Sequence, residues 1–204
     1  QARMKNMDAA VATLKLGLER IPGDEQLLTR LGFTYLVEER PVEALGAMAE
    51  VLKRNPKSVD ALTAVAVILD NTGRKREAVE YFEQGLAVEP ENKLLRTAYA
   101  GNLASSRRLP EAIAVLEGLV RDYPADPALV RQLGIAYGIN RDFDKSIEIF
   151  NRILAAGPNP DALYNLALAH REKGNIDEAV SCLERYLQAP QGESEEKIAG
   201  ARAE

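Results

Sequence analysis

An all-α architecture, an α-solenoid of antiparallel helix pairs, is the fold this sequence predicts, on three observations. Prolines stand at 22, 56, 90, 124 and 158, each 34 residues after the last. A helix-capping residue follows each one: Asp24, Ser58, Asn92 and Asp126 two places on, and Asn159 one place on. Between cappers, apolar residues recur at helical spacing in two runs separated by a polar break. A unit of that length holds two helices and cannot bury its own apolar faces, so neighbouring units must stack to make a continuous core.

Each element follows from the same count. With the capper as origin, its side-chain oxygen is placed to accept from the free N–H groups of the first turn. Pro127 and Pro160 then take the favoured first helical position. The fourth place reads Leu28, Leu62, Arg96, Val130, Leu163, and the seventh Leu31, Val65, Tyr99, Leu133, Leu166. The eighth is always small (Gly32, Ala66, Ala100, Gly134, Ala167), and the eleventh reads Tyr35, Leu69, Leu103, Tyr137, His170. These places share one helix face. Polar turns such as Asn71-Thr72-Gly73-Arg74 and Lys173-Gly174-Asn175 interrupt it.

The second face runs through the twentieth place (Ala44, Ala78, Ala112, Ser146, Ala179) and the twenty-fourth (Met48, Phe82, Leu116, Phe150, Leu183). It ends at the twenty-eighth (Leu52, Leu86, Val120, Leu154, Leu187), before the next proline stops the helix. The predicted full units are 25–58, 59–92, 93–126, 127–159 and 160–193. Residues 1–24 hold a half unit, because Asn6-Met7-Asp8-Ala9-Ala10 aligns with Asn175-Ile176-Asp177-Glu178-Ala179. Its partner helix is expected upstream of Gln1, which leaves Ala10, Val11, Leu14 and Leu18 as an open edge. Residues 194–204 are expected to be a tail or one short helix capped by Ser194, with Ile198 and a few alanines as its apolar content.

The chain of 204 residues is 46% hydrophobic and 28% charged, with a net charge of -5 and no tryptophan. An acidic balance argues against nucleic acid and anionic membrane surfaces as partners, since both select clustered Lys and Arg. No apolar run approaches the ~18 residues of a membrane span. Cys182 is the single cysteine, so no intrachain disulfide forms. That suits the cytosol and is compatible with a periplasmic or other oxidising compartment.

Helix pairs of this length, with small eighth and twentieth residues and a closing proline, resemble the tetratricopeptide repeat. Residues 162–190, ALYNLALAHREKGNIDEAVSCLERYLQAP, come nearest its pattern. LLTRLGFTYL (27–36) and LVRQLGIAYG (129–138) carry its Leu-Gly-x-x-Tyr core. The chain departs from it in lacking tryptophan at the fourth place, in Arg96, and in Gly85 at a packing slot.

The resemblance implies a right-handed superhelix with first helices lining a concave groove, and a peptide or helix of a partner protein held there. By that analogy the fifth place faces the groove with Thr29, Thr63, Thr97, Arg131 and Tyr164. The ninth adds Phe33, Val67, Ile135 and Leu168; the twelfth adds Leu36, Asp70 and Arg171; Asn165 matches a groove asparagine of the family. An exposed apolar stripe at the ninth place marks an interaction surface. Some members hold C-terminal carboxylates with Lys and Asn on their early helices. Thr29, Phe33, Thr63 and Val67 occupy those places here, so that clamp is missing. Charged recognition is then expected toward the C-terminal units, through Arg131 and Arg171, and apolar recognition toward the N-terminal ones.

Hydrolytic and metal chemistry need clustered ligands or a nucleophile beside a base. One histidine, His170, and one cysteine, Cys182, supply neither; His170 falls on the eleventh, packing place and Cys182 beside the core position Leu183. No glycine-rich phosphate loop occurs. The sequence therefore predicts no enzyme and no cofactor. It predicts a protein-interaction scaffold, or alternatively a structural or self-associating segment of a larger protein, an enzyme or a secretion or assembly component.

Overall fold

The structure, a computed structural model, describes residues 2–188, with side chains from Met7 onward. These residues form eleven helices and no strand. The chain divides into two units, 1–106 and 107–204. The first holds α1 (Ala2–Arg20), α2 (Glu25–Val37), α3 (Pro41–Arg54), α4 (Val59–Asn71), α5 (Lys75–Val88) and α6 (Lys93–Ser105). The second holds α7 (Leu109–Asp122), α8 (Pro127–Ile139), α9 (Phe143–Ala156), α10 (Pro160–Lys173) and α11 (Ile176–Gln188). Within each unit successive helices pack as antiparallel neighbours. The expected helix after Ser194 and the end of the last repeat lie outside the described residues.

Four of the five expected cappers close their helix starts. Asp24 accepts from the Leu27 N–H at 2.8 Å, Asn92 from Leu95 at 3.0 Å, Asp126 from Ala128 at 2.9 Å and Asn159 from Ala162 at 2.9 Å. Ser58 departs from the expectation. It occupies the N-cap position of α4, but its side chain makes no capping bond. Asn55 ties that turn instead: its Oδ1 accepts from the Lys57 N–H at 3.2 Å, and its Nδ2 donates to Glu25 at 3.0 Å.

The turn inside each pair reverses through one residue at positive φ: Glu39, Gly73, Arg107, Arg141 and Gly174. After α4 the Gly73 N–H donates to Asp70 O and the Arg74 N–H to Leu69 O; the same pair of bonds closes α2, α8 and α10. This satisfies carbonyls that the helix end leaves unpaired. Ala2-Arg3-Met4-Lys5 are good helix formers. So α1 begins at Ala2, a turn earlier than the alignment with α11 predicts.

The small eighth place sets how closely a pair packs. A Cβ on Gly32 would lie 2.5 Å from Met48 Cε, and one on Gly134 would lie 2.8 Å from Ile149 Cγ2 and 3.0 Å from Phe150 Cζ. The twentieth place is buried in all five pairs. Ser146, the polar exception, donates its hydroxyl to Gly134 O at 2.9 Å. Gly85, a departure in sequence, is filled from the next pair, with Leu95 Cδ2 2.9 Å from where its Cβ would stand. Arg96 keeps a mostly buried side chain in its apolar slot by pairing with Glu91 at 3.1 Å.

Three readings change. The third place, absent from the predicted face, is core in four of five pairs: Ala61, Leu95, Leu129 and Ala162. The twenty-eighth place is only half-buried, or exposed at Leu187, whereas the twenty-seventh buries Val51, Gly85, Leu119 and Tyr186. The N-terminal edge is not an open row. Val11 is buried with Leu31, Tyr35, Ala44 and Ile68, and Leu14 and Leu18 pack against that cluster; Ala10 stays exposed.

Candidate interaction surface

In the second unit a cavity of about 260 Å³ opens between the first helices α8 and α10. Ile135, Gly138 and Ile139 form one wall, and Asn165, Leu168, Ala169, Arg171 and Glu172 the other. Phe143, Ser146 and Phe150 of α9 complete it. Of the expected groove residues, Ile135, Asn165, Leu168 and Arg171 meet here. Sequence reasoning missed the aromatic contribution of Phe143 and Phe150, because it assigned the groove to first helices alone. The half-buried Gly138 leaves the wall thin: a Cβ there would meet Ser146 Oγ at 3.3 Å.

The surrounding charges are paired. Arg131 donates to Asp161 at 2.9 Å, bridging α8 and α10, and does not line the cavity. Arg171 donates to Glu172 at 3.1 Å. Lys173 pairs with Asp144. Asn165 spends one N–H on Asp161 O, one helical turn back, at 2.7 Å. Tyr164 packs its ring 5.7 Å from that of Tyr186. What remains is an apolar recess with a charge-balanced rim.

In the first unit the expected residues do not converge on one recess. Thr29 lines a polar pocket of about 590 Å³ with Asp24, Glu25, Gln26, Arg30, Ser58 and Asp60. Thr63 and Thr97 each donate their hydroxyl to a carbonyl of their own helix at 2.7 Å, so those protons are spent. Leu36 and Val67 pack onto the core. Asp70 accepts from the buried Asn102 Nδ2 at 2.9 Å, which ties α4 to α6. Phe33 alone keeps a large apolar surface, 42% exposed. The recess that Thr29 lines is polar, and the one that Ile135 and Leu168 line is apolar.

The reactive residue types are absorbed by packing. His170 is half-buried, with Nδ1 3.3 Å from Asn175 Nδ2, and its carbonyl accepts in the helix-ending turn. Burial pushes the Cys182 thiol above its ordinary pKa. Burial and the hydrogen bond to Glu117 push Tyr137 up to about 12. Among the described residues no three His, Cys, Asp or Glu side chains are grouped to hold a metal ion, and no helix is long and apolar enough to cross a membrane.

Two family models, each described as tetratricopeptide repeat, match residues 73–134 and 131–194, together more than half of the chain. The chain belongs to the tetratricopeptide repeat family. Among curated proteins it is similar to the human PEX5-related protein, 28% identical over 190 residues that cover 86% of this chain and 30% of that one. It spans about a third of the length of the first curated relatives it matches. Two solved tetratricopeptide repeat structures share the fold. YrrB, described as having an unusual peptide-binding site, matches at TM-score 0.74 and 18% identity over 86% of this chain and 91% of that one. MamA of Desulfovibrio magneticus RS-1 matches at TM-score 0.74 and 22% identity over 80% and 93%. Tetratricopeptide repeat proteins are in general non-enzymatic interaction scaffolds, and both matched models are repeat models.

Proposed function

We propose that this repeat array is a protein-interaction module whose recognition site is the α8–α10 cavity, holding one apolar side chain of a partner peptide. The observation that carries this reading is the convergence of Ile135, Leu168, Asn165 and Arg171 on one recess with Phe143 and Phe150. Its volume is smaller than a typical ligand pocket, and suits a single aliphatic or aromatic side chain. Asn165 and Arg171 at the rim are placed to orient a peptide backbone. The names of the relatives agree in kind: YrrB is described by a peptide-binding site, and curated relatives include peroxisomal targeting signal receptors.

Because the rim charges are paired, affinity rests on the apolar anchor more than on Arg131 or Arg171. The test is a peptide display selection on the full chain, followed by titration of the selected peptides. Leu168→Glu and Ile135→Glu are expected to lower affinity at least about tenfold. Val42→Glu, on the exposed outer surface of α3, is the control and leaves binding unchanged. Equal binding by all three variants overturns the assignment.

A further inference from the structure

Ser58 and Thr29 both depart from their equivalents in the other pairs, and both line the polar recess of the first unit. Ser58 is 9% exposed, yet its hydroxyl neither caps α4 nor bonds elsewhere among the described residues. At the other four first-helix starts the capper's oxygen accepts an N–H. Thr63 and Thr97 turn their hydroxyls back on their own helices, whereas the half-buried Thr29 has no partner among the described residues. A buried hydroxyl left unpaired costs free energy unless something from outside supplies the bond.

The recess holds about 590 Å³ between the starts of α2 and α4. Asp24, Glu25 and Asp60 bring three carboxylates to it, against the guanidinium of Arg30. Asp24 already accepts from the Leu27 N–H, and Glu25 from Asn55 Nδ2. Asp60 is exposed, with no hydrogen bond or ion pair of its side chain among the described residues. Each helix start adds about half a positive charge, and the recess stays negative.

A negative recess lined by carboxylate and hydroxyl oxygens takes a cationic donor. A metal ion does not fit it, because among the described residues no three His, Cys, Asp or Glu side chains are grouped to hold one. Oxygens spread over two helices suit a planar cation with several N–H groups better than a point charge. A guanidinium offers five donors in a fixed fork, accepts nothing, and sheds water more readily than an ammonium. We infer that the recess between the starts of α2 and α4 binds the guanidinium of an arginine side chain on a partner protein. Asp60 is the counter-charge, and the Ser58 and Thr29 hydroxyls accept the remaining N–H groups. The site lies within the first unit and stands whether or not the α8–α10 cavity holds a peptide.

The probe is N-acetylarginine amide, titrated into the full chain and followed by amide proton–nitrogen correlation spectra. The resonances of Gln26, Thr29, Ser58 and Asp60 are expected to shift and to saturate with a Kd of about 1–10 mM. The neutral isostere N-acetylcitrulline amide is expected to leave them in place, and N-acetyllysine amide to bind at least about threefold more weakly. Asp60→Asn is expected to weaken arginine binding at least about fivefold, and Ser58→Ala and Thr29→Val about two- to threefold each, all with native circular dichroism. Arg30→Gln, which removes a competing charge, is expected to tighten binding about twofold. Shifts that do not saturate, equal binding of the citrulline or lysine probe, or binding indifferent to Asp60→Asn and both hydroxyl variants overturns the inference.

Discussion

Glu39 and Arg141 adopt φ of +57° and +68° in turns where sister pairs carry Gly73 and Gly174. A side chain in that region meets the following carbonyl, whereas glycine does not. Glu39→Gly is therefore expected to stabilise the protein by about 0.5–1 kcal/mol in urea unfolding, a gain reduced by the greater freedom of glycine in the unfolded chain. The caps differ in the same residue-by-residue way. Asn92→Ala removes a bond to the Leu95 N–H and should cost about 1 kcal/mol. Ser58→Ala removes no capping bond and should cost no more than about 0.3 kcal/mol. Equal losses at both sites would return Ser58 to the role its sequence position implied. That role was legible in residue type and spacing; which oxygen reaches which N–H was not, because Asn55 competes for the same turn. Another residue-level signal lay in plain sight. Arg40, Arg74 and Arg108 each precede a glutamate by three places, and each arginine holds Glu43, Glu77 or Glu111 below the usual carboxylate range. These clamps are exposed, so they orient the second-helix start more than they stabilise it.

At the scale of the helix, the apolar periodicity predicts the inward face well but not its full width. The fourth, seventh and eighth places were read correctly; the third was missed because Leu27, Ala61, Leu95, Leu129 and Ala162 mix sizes and show no obvious repeat. Leu133 of α8 is 4% exposed. Its truncation to alanine leaves a cavity between helices and should cost about 2–5 kcal/mol by chemical denaturation. The same helix carries a pH signature. Tyr137 is raised from 10.0 to about 12, so the folded chain holds its proton more tightly than the unfolded one. Its contribution is complete below about pH 10 and is lost as pH rises toward about 12, by roughly 1–3 kcal/mol. Tyr137→Phe should flatten the decline of stability across that window, and an unchanged decline would assign it to other groups. On α11, the buried Cys182, its thiol raised by desolvation, should react with a thiol reagent only as the protein unfolds.

At the scale of the molecule, spacing alone gave the helix count per repeat and the all-α class, because five in-phase prolines and cappers leave few alternatives. The candidate site was less legible. Place-by-place analogy named Ile135, Asn165, Leu168 and Arg171, which do share a cavity, but also Thr63, Thr97 and Asp70, whose polar atoms are consumed inside the fold. A position in a repeat fixes direction; it does not reveal whether a neighbour has already taken the group. The serial architecture carries its own test within the first unit. Leu31 packs with Val11, Tyr35, Ala44 and Ile68, whereas Leu95 packs against Gly85 and belongs to the cluster of Met48, Val51 and Phe82. Each alanine substitution should cost about 2–5 kcal/mol. In a repeat array the stability terms reside in separate neighbour interfaces, so the double variant should lose the sum of the two costs to within about 0.5 kcal/mol. A coupling above about 1 kcal/mol in the double-mutant cycle would mean that the two clusters act as one shared core, and the serial account of this unit would have to be abandoned.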